Sequence, residues 1–134
     1  MKNELVTALA RLASLPYQQR YIIGGTADTY VLPEELLEDV DGLVLRAKRA
    51  ENSAQFSDAQ MCALDALATF IDEHSGKALG FSSPEDAADK ILNGATWSEL
   101  RSKASAALAE FGRQIDTISV EEIDEGQIAA TQCG

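Results

Sequence analysis

Histidine, cysteine and basic side chains are scarce in this chain of 134 residues. The single histidine, His74, cannot supply the several histidines that HExxH zinc sites and di-iron helical bundles require. The two cysteines, Cys62 and Cys133, have no CxxC spacing and no secretory context, so we read both as free thiols. We therefore predict no metal site, no cofactor and no catalytic residues, and we expect that the protein is not an enzyme.

Long hydrophobic runs are also lacking. No stretch approaches the roughly 18 uninterrupted apolar residues of a membrane-spanning helix. Residues 1–4 lead into a pattern of alanine and leucine that lacks the apolar run and the cleavage-type end of a signal peptide. The sequence therefore predicts a cytoplasmic protein with no membrane anchor.

Positive charge is in short supply, because 11 basic residues face 22 acidic ones and the net charge is 11 − 22 = −11. This charge repels phosphate backbones and anionic lipid headgroups, so neither nucleic acid nor membrane is expected as a partner. The same field attracts cationic surfaces, which makes a basic protein the electrostatically natural partner. Solubility is the alternative explanation of the charge.

Hydrophobic residues make up 46% of the chain, which at this length is enough for one buried core. They recur every three to four positions in most of the sequence, a spacing typical of helices that pack by one face. We predict an all-α fold, a compact bundle of about five to six helices in one domain over residues 1–134. Residues 116–134 are interpreted as a looser acidic segment of that domain.

Capping residues indicate where several helices begin and end. Residues 57–60 carry the Ser-x-x-Gln pattern of a capping box, and residues 96–99 carry the equivalent Thr-x-x-Glu pattern. His74 and Gly76 are expected to end the helix that Ser57 opens.

A further helix is predicted to begin at Pro33, because proline suits the first helical turn. Gly42 in the middle of this helix weakens it by roughly 1 kcal/mol relative to alanine. We interpret that glycine as the site of a close helix crossing.

The segment before Pro33 has two interpretations. Tyr17, Tyr21 and Ile22 fit a short helix closed by the glycines at 24 and 25. Alternatively, residues 21–23 and 30–32 form the strands of a small hairpin.

Three groups of acidic residues are candidate binding surfaces. Asp58, Asp65 and Asp72 recur every seven residues, which places them on one helix face with no opposite charge four residues away. A second group lies near Pro33 and a third near the C-terminus: Glu34, Glu35, Glu38, Asp39 and Asp41, then Glu121, Glu122, Asp124 and Glu125. The alternative interpretations are a solvated helix face, complementation of a helix dipole and terminal solubility, respectively.

Tyrosines surround the glycine pair at 24 and 25. Tyr30 near these acidic residues is typical of a protein-interface hot spot, so it joins the candidate partner-binding residues. The alternative places Tyr17, Tyr21 and Tyr30 in the core with hydrated hydroxyl groups.

Residues 21–39, YIIGGTADTYVLPEELLED, resemble a segment of the small bacterial immunity proteins of contact-dependent inhibition and related polymorphic toxin systems. The resemblance covers about a seventh of the chain by length, together with the overall size, acidity and helical plan. It implies a cytoplasmic monomer or dimer that binds one toxin domain, often a nuclease, and blocks its substrate cleft. No catalytic residue carries over from the family.

We therefore expect an immunity or inhibitor protein that neutralises a basic toxin domain through acidic helix surfaces. The first alternative is a helical scaffold protein that acts as a homodimer through apolar helix faces. The second is a ligand-binding or enzymatic helical bundle that uses tyrosine and glutamate side chains.

Overall fold

The computed structural model describes residues 1–26, 30–126 and 128, and within these ranges it contains helices and no strand. The predicted all-α class is confirmed. The α-helices are α1 Lys2–Ala13, α2 Leu15–Gln18, α3 Pro33–Ala47, α4 Ala50–Ser53, α5 Asp58–Leu79, α6 Pro84–Asn93, α7 Ala95–Ala109 and α8 Val120–Glu125. A π-helical turn, Gln19–Ile23, continues α2, and a 3-10 turn, Ile115–Thr117, precedes α8.

Four helices form a closed ring around the core. Helix α1 packs against α3 and α7, and α5 packs against the same two helices. Helix α6 covers α7, while α8 contacts α1 and α2. Because α3 lies between α1 and α5, its outer face borders a groove on either side.

Helix α1 is buried nearly all round, although its spacing predicts one apolar face. Leu5, Val6, Leu9 and Leu12 are fully buried, and the small residues Ala8, Ala10 and Ala13 are buried with them. A helix buried on several faces needs small side chains where neighbours approach, which explains the alanines between the leucines.

Trp97 in α7 lies in the core with only 1% of its surface exposed. Its indole N–H donates a hydrogen bond to the carbonyl oxygen of Ala78, 2.8 Å away near the end of α5. This bond satisfies a buried donor and ties α7 to α5.

Gln18 is the centre of a buried polar network. Its amide nitrogen donates to the carbonyl oxygens of Arg11 and Leu12, at 3.1 and 2.8 Å, and so satisfies the end of α1. Arg101 donates to the Gln18 side-chain oxygen at 3.0 Å and to the Ile91 carbonyl oxygen at 2.6 Å. Burial lowers the pKa of Arg101 from its ordinary value. The network joins α1, α2, α6 and α7.

Two of the predicted helix boundaries are wrong. The capping box at residues 57–60 is confirmed, but α5 continues past Gly76 to Leu79. His74 therefore lies inside the helix and not at its end. Its ring stacks on that of Phe70, with 4.1 Å between the ring centroids. Helix α7 begins before Thr96, with Gly94 as the N-cap and no side-chain capping bond, so the second predicted capping box does not form.

The expected close crossing at Gly42 is also wrong. A Cβ atom added at Gly42 would meet nothing within 4 Å, so no neighbouring described residue requires glycine there.

The hairpin alternative for residues 21–32 does not fit the described residues. Residues 21–23 belong to the π-helical turn, while a single backbone hydrogen bond of 2.8 Å from Val31 N–H to the Tyr21 carbonyl joins the two ends of the loop. Residues 27–29 lie outside the described part.

The segment interpreted as an acidic tail, 116–134, contributes Ile118, Ile123 and Ile128 to the core. Residues 127 and 129–134, including Cys133, lie outside the described part, whereas Cys62 is an exposed free thiol. Over the described ranges, no helix has both the length and the apolar composition that crossing a bilayer would need.

Candidate functional site

The aspartate stripe of α5 is exposed, as predicted, on the face opposite the buried Leu64, Leu67 and Ile71. The expectation that it lacks compensation is wrong at Asp65, which forms an ion pair with Lys48 just beyond the end of α3. Spacing within α5 could not reveal this pair, because the cation comes from another helix. Lys48 therefore neutralises the middle one of the three aspartates.

The acidic residues of α3 have a different environment. Glu34, Glu35, Glu38 and Asp39 are all exposed, and none takes part in an ion pair with another described residue. The first two lie in the first helical turn, where the helix dipole favours negative charge. We call these four residues the α3 ridge.

Asp41 of α3 and Asp72 of α5 line the same groove between the two helices. Burial raises the pKa of Asp41, the neighbouring Asp72 carboxyl group raises it further, and Lys48 opposes that shift. Asp72 is therefore the one aspartate of the predicted α5 stripe that lies in this groove with the acidic residues of α3. Asp58, at the other end of α5, does not line the groove.

This groove has a volume of about 230 Å³, and we call it the α3/α5 groove. Its acidic rim consists of Glu34, Glu38, Asp41 and Asp72, and its apolar surface comes from Leu37, Ile71 and Leu79. An apolar floor with a carboxylate rim suits the aliphatic stem and charged end of a lysine or arginine side chain.

A larger groove of about 560 Å³ lies on the other side of the ridge, between α1 and α3. This α1/α3 groove is lined by Glu4, Thr7, Ala8, Arg11, Glu38, Asp39, Gly42, Leu43, Arg46 and Gly126. Arg46 spans it through an ion pair with Glu4 at 3.6 Å. Because Glu38 borders both grooves, the two grooves and the ridge form one continuous surface.

Two exposed apolar side chains extend this surface at the start of α3. Tyr30 is 50% exposed and Leu32 is 39% exposed. Glycine at position 25 leaves room for the Tyr30 ring, because a Cβ atom there would lie only 2.7 Å from Tyr30 Cδ2. Tyr17, in contrast, is buried and contacts Tyr21 at 4.9 Å between ring centroids, which agrees with the core alternative for that residue.

The third acidic group is partly neutralised. Arg20 pairs with Glu121 at 3.2 Å, and Arg113 pairs with Glu122 at 3.7 Å. Helical spacing does not predict either pair, because Arg20 is far from Glu121 along the chain and Arg113 lies outside the helix that holds Glu122. This group therefore offers less unpaired charge than the α3 ridge.

Among residues 1–26, 30–126 and 128, no cluster of three histidine, cysteine or acidic side chains has metal-binding geometry. The α3 ridge with its two grooves is therefore the candidate site that charge and shape together indicate. Comparison with known proteins adds no relative: no protein-family model, curated protein or solved structure matches the chain.

Proposed function

We propose that this chain is a bacterial immunity or inhibitor protein that acts in the cytoplasm and neutralises a basic toxin domain. The α3 ridge and the grooves beside it form the binding surface. The observation that carries the proposal is the α3/α5 groove, where four carboxylates lie together and none forms an ion pair with a described residue. They belong to Glu34, Glu38, Asp41 and Asp72.

Neighbouring carboxylates without a cation destabilise the unbound protein relative to a complex with a basic partner. Like charges held close repel each other, and the repulsion is relieved when a cation arrives. A lysine or arginine from a partner would stabilise these carboxylates. The electrostatic energy of this groove is thus unfavourable in the unbound protein and would become favourable when a basic side chain of a partner binds there.

A nuclease is a suitable target because it must present lysine and arginine to hold phosphate groups. An acidic inhibitor that occupies those side chains excludes the substrate and associates rapidly through electrostatic attraction. The net charge of −11 supports the same mechanism.

Co-expression tests the proposal. The chain is produced in cells together with a basic nuclease toxin domain that arrests growth, and growth is compared with cells that produce the toxin domain alone. We expect the wild-type chain to restore growth and the double variant Glu34→Lys, Glu38→Lys to fail.

The matched control is Glu85→Lys, Glu99→Lys on α6 and α7. It makes the same change in net charge, and Glu85 lies in the first turn of its helix as Glu34 does. Growth that the wild-type chain does not restore, or that the two double variants restore equally, would contradict the proposal.

A further inference from the structure

Leu45 in α3 is the most exposed of the large hydrophobic side chains that the structure describes, with 60% of its surface accessible. Glu34, Glu38, Asp41 and Leu45 follow the i, i+4, i+7, i+11 spacing of one helix face, and we call them the α3 row. The row is about 16 Å long. Since Asp41 lines the α3/α5 groove, Leu45 lies one helical turn further along the same side of α3. A partner that enters the groove therefore comes within reach of an exposed leucine.

Charge changes along the α3 row. Beside the first half of α3, the four carboxylates of the α3/α5 groove form no ion pair with a described residue. Just beyond the end of α3, Lys48 pairs with Asp65 and the exposed Arg49 adds a second cation. A complementary partner surface thus carries basic side chains at one end and an uncharged apolar side chain beside Leu45.

The groove itself is small. Its volume of about 230 Å³ lies below the roughly 300–1,000 Å³ of cavities that enclose small molecules, so it suits one or two side chains of a larger partner. Leu37, Ile71 and Leu79 provide apolar surface for the aliphatic stem of a lysine or arginine, and the carboxylates at the rim meet its charged end.

The lining of the groove favours a helical partner segment over an extended one. Among the described residues that line it, Ser75 alone carries a side-chain hydrogen-bond donor, while the others are acidic or apolar. Beyond the first turn of α3, the backbone N–H groups around the groove are bonded within the two helices. An extended segment would turn carbonyl oxygens toward a surface that offers almost no donor, whereas a helix pairs its own backbone groups. A helix also repeats its side chains with the spacing of the α3 row.

We infer that the α3/α5 groove and Leu45 together bind an amphipathic helix of the partner protein, whose basic side chains enter the groove and whose apolar side chain covers Leu45. That the partner is a toxin domain rests on the proposed function, whereas the chemistry of the bound segment rests on the groove and Leu45. The carboxylates speed association and are screened by salt, while the apolar contact with Leu45 is not screened and slows dissociation.

A designed peptide tests this surface without the partner. The probe is an acetylated and amidated helical peptide of alanine and glutamine, with two lysines one turn apart and a leucine one turn further along the same face. It is titrated into the full chain at physiological salt, and changes in backbone amide shifts locate the contact. We expect the largest changes at Glu38, Leu45, Asp72 and Ser75. No binding, or changes confined to the α1/α3 groove, would overturn the inference.

A second peptide of the same composition, with the leucine moved to the opposite face, isolates the apolar contact. It keeps the net charge, so purely electrostatic attraction would bind both peptides equally. We expect the second peptide to bind at least about fivefold more weakly than the first. Equal affinity for the two peptides would overturn the inference.

Leu45→Ala removes the apolar contact from the side of the protein. Alanine favours helix and Leu45 is exposed, so the melting temperature should stay close to that of wild type. The affinity for the first peptide should fall at least about fivefold, whereas the affinity for the second should not change. The control is Leu92→Ala, because Leu92 is a partly exposed leucine of α6, which does not line the groove. Equal effects of the two variants on the first peptide would overturn the inference.

Asp72→Asn tests the charged part of the surface, with Asp58→Asn as the matched control. Both variants remove one exposed carboxylate from α5, but only Asp72 lines the groove. We expect Asp72→Asn to lower the affinity for the first peptide at least about threefold and Asp58→Asn to leave it nearly unchanged. Equal losses would show that net charge and not the groove attracts the peptide, and would overturn the inference.

The co-expression assay distinguishes this inference from the proposed function. If wild type and Leu45→Ala restore growth equally at every level of toxin production, the partner does not use this surface, and the inference fails while the proposed function stands. If wild type restores no growth, the proposed function fails, and the peptide titrations alone decide whether the surface binds an amphipathic helix.

Discussion

Asp41 of α3 and Asp72 of α5 line one groove between the two helices, beside the carboxylates of Glu34 and Glu38. Lys48 is the nearby cation, and its ion pair is with Asp65. The packing of α3 on α5 thus places two carboxyl groups near each other, and the raised pKa of Asp41 makes the stability of the fold depend on pH there.

We predict that Asp41→Asn stabilises the isolated protein at pH 7. The asparagine side chain carries no charge and its amide can donate a hydrogen bond to the Asp72 carboxylate, so the repulsion between the two side chains disappears. Because the site is partly open to water, we expect a gain of up to about 1 kcal/mol in the free energy of unfolding. Urea unfolding of the variant and wild type at pH 7 measures it.

The pH dependence of this gain follows from the raised pKa of Asp41. The folded protein binds this proton more tightly than the unfolded chain does, so wild type gains stability as the pH falls through the raised value toward the ordinary value of 3.8. The advantage of Asp41→Asn should therefore shrink over that window and vanish below it. An advantage that is constant from pH 7 to pH 3.5 would contradict the assigned cause.

We predict that Gln18→Leu destabilises the fold by about 1–3 kcal/mol. The substitution keeps a side chain of similar size but leaves the carbonyl oxygen of Leu12 and the half-buried Arg101 short of a partner. Thermal unfolding measures the loss. Gln19→Leu is the control, because Gln19 is exposed in the adjacent turn; equal melting temperatures for the two variants would be inconsistent with the network.

If the proposed function holds, we predict that Gly25→Ala weakens binding of the proposed toxin partner by displacing Tyr30. A Cβ atom at residue 25 would lie 2.7 Å from both Tyr30 Cδ2 and the Tyr21 carbonyl oxygen. We expect a loss of about 1–2 kcal/mol, similar to that of Tyr30→Ala, as is usual when an interface aromatic is lost. Calorimetric titration of both single variants and the double variant measures it. Fully additive losses would show that the glycine does not act through the tyrosine.

The sequence predicted the fold class well because apolar spacing and caps are local signals. Ser57 and Gln60 formed the expected capping box since both partners lie within one turn. The end of α5 was missed because contacts with α7, including the bond from Trp97 to Ala78, carry the helix past Gly76.

The candidate site was less accessible to sequence reasoning. The acidic groups and Tyr30 were identified from composition and spacing, but their charge balance depends on distant residues. The ion pair between Lys48 and Asp65, and the proximity of Asp41 and Asp72, require the packing of α3 on α5. Likewise, Gly42 received a packing explanation because sequence alone does not reveal that it borders a groove.

The most direct test of the account is the association rate of the purified chain with the proposed toxin domain, measured by stopped flow at several ionic strengths. We predict that the wild-type rate falls at least tenfold as salt rises from low to high concentration. Glu34→Lys, Glu38→Lys should slow association at low salt far more than Glu85→Lys, Glu99→Lys does. A rate that is independent of salt, or equal slowing by the two double variants, would contradict recognition through the α3 ridge.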